Sequence, residues 1–351
     1  MFKKFFISML GTIAGLWITL LICGVVIFIA AASIISSSTP EIKIHKNSIL
    51  YLDLSGSMPE RYQPASLMDI VRKVEEDGES LVDIVNSINL AANDSHIKGI
   101  YINGGMGAAG AASREEILKA LRDFKKSGKW ILSYADTYTQ GDLLLAATAD
   151  SVFLNPMGGV AVHGVAANVP FYTGLLDKIG VKMQIVRVGT FKSAVEPFFA
   201  KEMSPASRLQ LQQTADTLWS FLSEGIAEGR GVAVADVDMW ADSIISTWSA
   251  QRVLNAKAVT SLRYRRQVED LLRKRLDIER DDELPLVTPA DYMTTRKGAS
   301  KDKDHVAVLF AVGDIVDQGN DGIVGEEMTP QIIKLADDEH VKGLVLRVNS
   351  G

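Results

Sequence analysis

The stretch LVDIVNSINLAANDSHIKGIYING, residues 81–104, decides the fold class. Residues 81–93 carry apolar side chains at helical spacing, and IKGIYING (97–104) is rich in the β-branched and aromatic residues typical of a strand. Upstream, SILYLDLSG (48–56) has the apolar character of a buried parallel strand. A strand, a helix and a strand in this order predict a βαβ unit, and therefore an α/β fold.

Other segments extend this alternation. In SREEILKALRDFKKSG (113–128), Ser113 stands three residues before Glu116, a capping box that predicts a helix start. The segment 204–231 opens with Ser204 as N-cap and Pro205 at the first helical position and ends in glycines, so we predict one long helix. Further strands are predicted at KWILSYAD (129–136), SVFLNP (151–156) and MQIVRVG (183–189).

The chain also contains an internal similarity. INLAANDSHIKG (88–99) and IIKLADDEHVKG (332–343) share residues at a constant offset of 244, and each block lies between two strand candidates. We therefore predict one complete α/β repeat and the beginning of a second, truncated one. The residues that recur are Ala92, Asp94, His96, Lys98 and Gly99, as Ala336, Asp338, His340, Lys342 and Gly343.

The N-terminus carries an apolar segment without a charged residue from Phe5 to Pro40. This exceeds the roughly 20 apolar residues that span a bilayer as a helix, whereas the apolar core of a cleaved signal peptide has only about 7–15 residues. We expect an uncleaved anchor. Because Lys3 and Lys4 precede it and positive flanks stay in the cytoplasm, we expect the rest of the chain outside, on the periplasmic side of a bacterial inner membrane.

Composition excludes several classes of function. The net charge is -6 and no basic cluster follows the N-terminus, which argues against a nucleic-acid partner. The single cysteine, Cys23, permits neither an intrachain disulfide nor a zinc cluster, and the five histidines lack metal-binding spacing such as HExxH. No GxSxG elbow is present. The glycines of GMGAAG (105–110), with Asp136 after the next strand, fit a dinucleotide fingerprint on paper. We favour a flexible glycine-rich connection instead, because the capping box places the helix start at Ser113 rather than inside the glycines. We predict no metal and no cofactor.

The segment RVGTFKSAVEPF (187–198) places Lys192 at a predicted corner between a strand and a short helix, where functional residues of α/β proteins tend to lie. Two interpretations remain open from the residues alone. Lys192 could act as a general base if burial lowered its pKa from about 10.4 toward neutrality. Alternatively, it is an exposed lysine paired with Glu196 at i+4, which would keep it charged.

Three segments together, RVGTFKSAVEPF, YTQGDLLLAATADSVFLNPMGGVAVHGV (138–165) and VKGLVLRVNS (341–350), resemble the long, two-repeat form of the signal peptide peptidase A (protease IV) family. The resemblance implies a ClpP/crotonase-like fold and a Ser/Lys peptidase that degrades signal peptide remnants and other membrane-associated peptides. It assigns the general base to Lys192 and the nucleophile to a serine in a glycine-rich segment of the second repeat. Relatives form bowl-like homo-oligomers on the membrane, with tetramers among them.

In the first repeat, Gln140 stands where this serine would be, and glutamine cannot attack a carbonyl. Applying the repeat offset to Gln140 places the nucleophile roughly 33 residues beyond Gly351. Ser193 is unsuitable because it adjoins Lys192, and Ser350 lies in a loop that resembles the oxyanion region of the family. In that loop Gly351 replaces the proline of the family pattern.

The sequence therefore predicts six segments and an inactive chain. A non-catalytic membrane scaffold and a nucleotide-dependent enzyme are the alternatives. The predicted segments are a cytoplasmic tip (1–4), a transmembrane anchor (5–35), a linker (36–46), the first α/β repeat (47–203), a helical excursion (204–299) and the start of the second repeat (300–351).

Overall fold

The computed structural model describes residues 2–37, 44–61, 79–105, 107, 109–296, 302–319 and 322–350. The chain divides into two compact units, Met1–Lys43 and Ile44–Gly351. Part of the predicted linker, 38–43, lies outside the described residues.

The first unit is a single helix, α1 (Phe2–Ser37). Its window Met9–Val26 is long and apolar enough to cross a membrane, a property that N-terminal signal sequences share. Large apolar side chains such as Leu10, Trp17 and Ile22 are exposed along it. The helix extends beyond both ends of the predicted 5–35 segment.

The second unit is built on a six-stranded sheet in which every strand pairs parallel with its neighbours, in the order β5-β4-β3-β2-β1-β6. This confirms the α/β class. The strands predicted at 129–136 and 151–156 form but continue further along the chain. The bounds are β1 (Ser48–Asp53), β2 (Ile97–Asn103), β3 (Trp130–Thr139), β4 (Ser151–Ala161), β5 (Ser261–Leu262) and β6 (Leu286–Val287).

Helices α2 (Leu81–Asn93), α3 (Ala111–Lys125) and α4 (Gln140–Ala146) contribute buried apolar side chains to the main core of the sheet. Helix α2 has the bounds that its periodicity predicts, and Ser80 caps it by accepting a hydrogen bond from the Asp83 amide at 3.1 Å. The prediction that a capping box at Ser113 starts α3 was wrong. The helix begins at Ala111 with Gly110 as N-cap in an extended conformation, so Ser113 lies within the first turn and not at the cap.

The stretch predicted as a helical excursion contributes to the same sheet. Its helix α6 matches the prediction for 204–231, since Ser204 caps it and Gly231, with φ 64°, ends it. Strands β5 and β6 add to opposite edges of the sheet, and helix α9 covers the second small core around Ile49 and Tyr101. The helices of this part and of the segment before it are α5 (Thr173–Lys178), α6 (Pro205–Arg230), α7 (Val234–Asp242), α8 (Ala250–Asn255), α9 (Arg265–Leu276) and α10 (Pro289–Thr294).

The strand predicted at 183–189 does not form, and this part of the chain has no regular secondary structure. Val186 and Val188 are 94% and 87% exposed. A strand is stable only when its backbone groups pair with a neighbour, and among the described residues no strand lies beside this segment. Local β propensity alone was therefore not sufficient to form a strand at 183–189.

The C-terminal part reproduces the geometry of β1, α2 and β2. Strands β7 and β10 pair parallel, as β1 and β2 do, and both pairs have a register shift just before a glycine, Gly99 or Gly343. Asp94 and Asp338 each cap the preceding helix and accept a hydrogen bond from the amide of His96 or His340 at 2.9 Å. The elements are β7 (His305–Val312), β8 (Ile315–Val316), β9 (Ile323–Val324), α11 (Gly325–Asp337) and β10 (Val341–Asn349).

The two copies differ in burial. Ile100 and Ile102 of β2 are buried, whereas the corresponding Leu344 and Leu346 of β10 are 43% and 52% exposed. In the first copy β2 lies between β1 and β3 under α2 and α3, while β10 pairs only with β7 among the strands that the structure describes. The C-terminal copy therefore presents apolar strand surface to solvent within the described part of the chain.

Candidate active site

Lys192 lies in the connection between α5 and α6. Gly189, with φ 104°, makes a turn before it, and the Lys192 amide donates to the Gly189 carbonyl at 3.4 Å. A short 3₁₀ turn, Glu196–Phe198, follows. The lysine side chain is exposed, and its ammonium has no hydrogen-bond or ion-pair partner among the described residues.

Glu196 does not form the i,i+4 pair with Lys192. Its buried side chain, 3% exposed, accepts hydrogen bonds from the Ser204 hydroxyl at 2.6 Å and from the Ser204 amide at 3.2 Å. Arg187 Nη1 lies 3.3 Å from Glu196 Oε1. The Ser204 hydroxyl first, and Arg187 in addition, lower the pKa of Glu196 below its usual value. The carboxylate is thus occupied and ionised, and within the described part of the chain it does not pair with Lys192.

The exposure of Lys192 has a chemical consequence. A lysine becomes a base near neutral pH when burial in an apolar environment disfavours its charged form. The described chain alone does not provide that environment. Base chemistry at Lys192 therefore requires another surface to cover it.

Gln140 is the first residue of α4 and directly follows β3. Thr139 caps this helix in a reciprocal arrangement with Asp142. The Gln140 amide nitrogen donates to the Gly164 carbonyl at 3.0 Å, and its oxygen accepts from the His163 amide at 3.2 Å. A side chain at the carboxyl end of a parallel strand and at a helix N-terminus occupies a position suited to catalysis, but Gln140 uses it to fasten the chain at 163–164.

The glycine-rich loop after β2 is packed against Arg114. This arginine donates to the carbonyl of Gly107 at 3.1 Å and to the carbonyl of Ala109, and burial lowers its pKa. Asp142, also buried, accepts from the Gly107 amide, and its burial raises its pKa. A Cβ at Gly107 would lie 2.2 Å from the Leu54 carbonyl oxygen. Close packing therefore explains the glycine at this position.

The dinucleotide interpretation receives no support from this geometry. The Gly107 amide, which would have to face a pyrophosphate, is bonded to Asp142. Asp136, the candidate for a ribose contact, accepts instead from the Tyr134 hydroxyl at 2.6 Å and from Asn155 at 2.7 Å. Met106 and Ala108 of this motif lie outside the described residues.

The remaining candidates do not complete a site. Ser193 is half-buried and its carbonyl accepts from the Glu196 amide at 2.9 Å, while Ser350 is exposed. Among the residues that the structure describes, no group of three or more His, Cys, Asp or Glu side chains is placed to hold a metal ion.

Sequence reasoning missed a polar link between the two α/β copies. Arg347, at the end of β10, donates to Glu60 and to Glu116, each at 2.6 Å. Asn349 donates to the other oxygen of Glu60 at 2.9 Å. Glu60 is buried, and its charge is balanced by a residue from the far end of the chain. No local sequence signal indicated this link, because 287 positions separate Glu60 from Arg347.

In the comparison with known proteins, the stretch that contains Lys192 matches a family model. Residues 123–279 match the family model described as Peptidase family S49. The chain is 35% identical over 289 residues to Protease 4 of Salmonella typhi, covering 77% of this chain and 45% of that protein. It is 30% identical over 287 residues to Protease 4 of Haemophilus influenzae, covering 77% and 46%.

The relationship extends to a plant protein. The chloroplastic serine protease SPPA of Arabidopsis thaliana is 24% identical over 317 residues, with 88% of this chain and 45% of that protein covered. The chain thus spans about half the length of the curated relatives that it matches.

Among solved structures, an enoyl-CoA hydratase/isomerase family protein from Silicibacter pomeroyi aligns with a TM-score of 0.31 at 11% identity, over 57% of this chain and 73% of that one. A second member of that family aligns with a TM-score of 0.33 at 12% identity, over 62% and 70%. The sequence comparisons therefore lead to one conclusion: residues 123–279 match the model of peptidase family S49, and the chain is similar in sequence to the protease 4 and SPPA serine proteases over about half of their length.

Proposed function

We propose that this chain is the front part of a membrane-anchored Ser/Lys endopeptidase that degrades cleaved signal peptides. Lys192 is the general base, and the nucleophilic serine lies beyond residue 351. Lys192 falls inside the matched domain, 123–279, and the described chain leaves its ammonium without a partner. That unpaired state, with Glu196 engaged elsewhere, is the observation that carries the proposal.

In this mechanism the neutral Lys192 amine removes the proton from the serine hydroxyl as the oxygen attacks the peptide carbonyl. An acyl-enzyme forms, the leaving amine takes the proton, and water then releases the acyl group. Backbone amides near the loop 347–350 stabilise the oxyanion. Lys192 is exposed in the described chain, so we propose that the rest of the second repeat or a bound substrate covers it and lowers its pKa.

Substitution of Lys192 in the longer protein tests this role. Lys192→Ala should reduce turnover of a fluorogenic peptide with small, apolar side chains by at least 10³-fold, because the serine would lose its base. Lys201→Ala, at an exposed lysine nine positions later in the same connection, is the matched control and should retain activity. Near-normal turnover by Lys192→Ala would remove the basis for the proposal.

The anchor and its orientation are part of the same proposal. Helix α1 supplies a segment of sufficient length, and Lys3 and Lys4 before it favour a cytoplasmic N-terminus with the bulk of the chain in the periplasm of a bacterium. Added protease should digest Ile44–Gly351 in spheroplasts but not in intact cells. Digestion only after lysis of the inner membrane would contradict this orientation.

We also propose a homo-oligomer. Helix α5 and the connection that follows it expose the apolar residues Leu175, Ile179, Val186, Val188 and Phe191. Several exposed apolar side chains in one stretch of chain are a feature of interaction sites. Light scattering of the detergent-solubilised protein should give a mass several times that of one chain, and a monomer mass would contradict the assembly.

A non-catalytic scaffold is the second candidate, and Gln140 favours it because the first repeat carries no nucleophile at that position. The two functions differ in one measurement. A fluorophosphonate probe should label a serine of the longer protein, and this label should be absent from residues 1–351 expressed alone. Absence of label in both proteins would favour the scaffold.

A further inference from the structure

We propose that Glu196 is a positioning residue that holds the connection bearing Lys192 in its working shape. The inference rests on the proposed role of Lys192 as general base. Glu196 would not touch the substrate; it acts through Arg187 and Ser204, the two residues that bracket Lys192 along the chain.

The contacts of Glu196 close this connection into a loop. One carboxylate reaches back to Arg187 and forward to Ser204, which is also the N-cap of α6. The loop is thereby fastened to the start of a 26-residue helix. Because Glu196 is buried although much of the loop around it is exposed, its contacts form a small polar core within this connection.

Arg187 links this polar core directly to Lys192. The same Nη1 atom that contacts Glu196 lies 3.5 Å from the backbone carbonyl of Lys192. The guanidinium also lies over the ring of Phe199, 5.1 Å from its centroid. The backbone position of Lys192 therefore depends on an arginine that Glu196 holds in place.

Aromatic packing supports the other side of the loop. The Tyr172 amide donates to the Pro197 carbonyl at 2.8 Å, and the rings of Tyr172 and Phe198 stack with centroids 6.0 Å apart. The residue that joins this contact to the polar core is Glu196, directly before Pro197. Loss of the Glu196 carboxylate should therefore loosen the loop without removing its apolar contacts.

The arrangement also separates two charges. A carboxylate free to approach a lysine four residues earlier would stabilise the ammonium form and so oppose base catalysis. Arg187 and Ser204 together draw the Glu196 carboxylate away. Glu196 thus sets the position of Lys192 while leaving its amine unpaired.

The test compares four variants of the longer, serine-containing protein: Glu196→Ala, Glu196→Gln, Arg187→Ala and the control Glu202→Gln, at an exposed glutamate of the same connection. Glu196→Ala should lower kcat by about 10- to 100-fold, since small displacements of a catalytic group cost up to 10²-fold, and should change KM little. Glu196→Gln retains an oxygen that accepts from Ser204 and should recover part of the loss. Glu202→Gln should match the wild type.

The pH profile separates positioning from a merely structural effect. The acid limb of kcat/KM reports protonation of the base. In Arg187→Ala the freed carboxylate can approach Lys192, so this limb should move to higher pH, and Glu196→Ala in the Arg187→Ala background should move it back. A profile that stays at the wild-type position in every variant, with activity lost only in proportion to folded protein, would overturn the inference.

The turnover of Lys192→Ala is measured in the same assays as that of the Glu196 and Arg187 variants. If Lys192→Ala is inactive and the Glu196 variants behave as wild type, the positioning role alone is wrong. If Lys192→Ala remains active, the proposed function itself is wrong.

Discussion

Arg347 Nε lies 2.6 Å from Glu60 Oε2, although 287 positions separate the two residues. Glu116 and Asn349 complete the cluster. The contact joins the end of β10 in the C-terminal copy to the loop after β1 in the first copy. It therefore fixes where the RVNS segment lies relative to the first α/β repeat.

The first prediction concerns the stability of this link. The side chain of Glu60 is 8% exposed, so Arg347→Ala would leave a buried carboxylate without its cation and should lower the free energy of unfolding by about 2–3 kcal/mol. A double-mutant cycle with Glu60→Ala, followed by denaturant unfolding, measures the coupling. The exposed pair Arg122 and Glu228 is the control and should couple by less than about 1 kcal/mol. Equal coupling in both cycles would contradict the prediction.

Sequence patterns predicted the elements in which local signals and tertiary partners agree. Helix α2 follows its apolar periodicity, and α6 follows its Ser204 cap and Gly231 end. The strand at 183–189 failed because β propensity cannot supply a pairing partner. Strands β5 and β6 were missed because two residues are too short to form a pattern.

The candidate site was likewise predictable from the sequence only in part. Lys192 was identified through a motif, which is a local signal. Its lack of an ion pair depends on Arg187 and Ser204 competing for Glu196, and spacing alone could not rank these partners against Lys192. The link between Arg347 and Glu60 spans almost the whole chain, so no local pattern could have indicated it.

The second prediction concerns acid stability at Asp94. Burial raises the pKa of this carboxyl, but hydrogen bonds from the His96 amide and the Tyr292 hydroxyl, together with Arg296, outweigh that effect and lower the pKa to about 2. A depressed folded-state pKa contributes stability above the unfolded value, near 3.9, which is lost as pH falls toward 2. Asp94→Asn should therefore be less stable than wild type by about 1–2 kcal/mol at pH 6 and nearly equal to it near pH 2. Thermal unfolding from pH 2 to pH 7 measures the difference, and a constant gap would contradict it.

The third prediction concerns Glu79, whose effect on stability changes with pH in the direction opposite to that of Asp94. Burial raises its pKa to about 7, although the Ala290 amide donates to it at 3.2 Å. A raised folded-state pKa makes the ionised form costly, so stability is lost as pH rises from about 4.5 through 7. Glu79→Gln, which can still accept from Ala290, should be more stable than wild type by about 1–2 kcal/mol at pH 8, and the two should converge near pH 4. Glu115→Gln, at an exposed glutamate of α3, is the control variant and should show no such pH-dependent gain. A gain for Glu79→Gln that is the same at pH 4 and pH 8 would exclude the titration of Glu79 as its cause.

The fourth prediction concerns the glycine loop. Gly107→Ala would bring a Cβ within 2.2 Å of the Leu54 carbonyl oxygen, a backbone atom that cannot rotate away. It should lower the free energy of unfolding by about 1–3 kcal/mol. Gly110→Ala meets no atom within 4 Å and should cost less than about 1 kcal/mol, the usual range for alanine at an N-cap. Similar losses for the two variants would show that backbone flexibility, rather than space, requires glycine here.

The fifth prediction tests whether the C-terminal copy is completed by further chain. Leu346 on β10 is 52% exposed, while the corresponding Ile102 on β2 is buried beside β3. If the rest of the second repeat adds a strand and helices to β10, position 346 becomes buried in the longer protein.

In a Cys23→Ser background, which removes the native thiol, Leu346→Cys should react rapidly with maleimide in residues 1–351 and at least 10-fold more slowly in the longer protein. Met157→Cys, 87% exposed in the first copy, should react at the same rate in both. Rapid labelling of position 346 in both proteins would mean that the apolar face of β10 serves a different partner, and the position proposed for the nucleophile would lose its structural support.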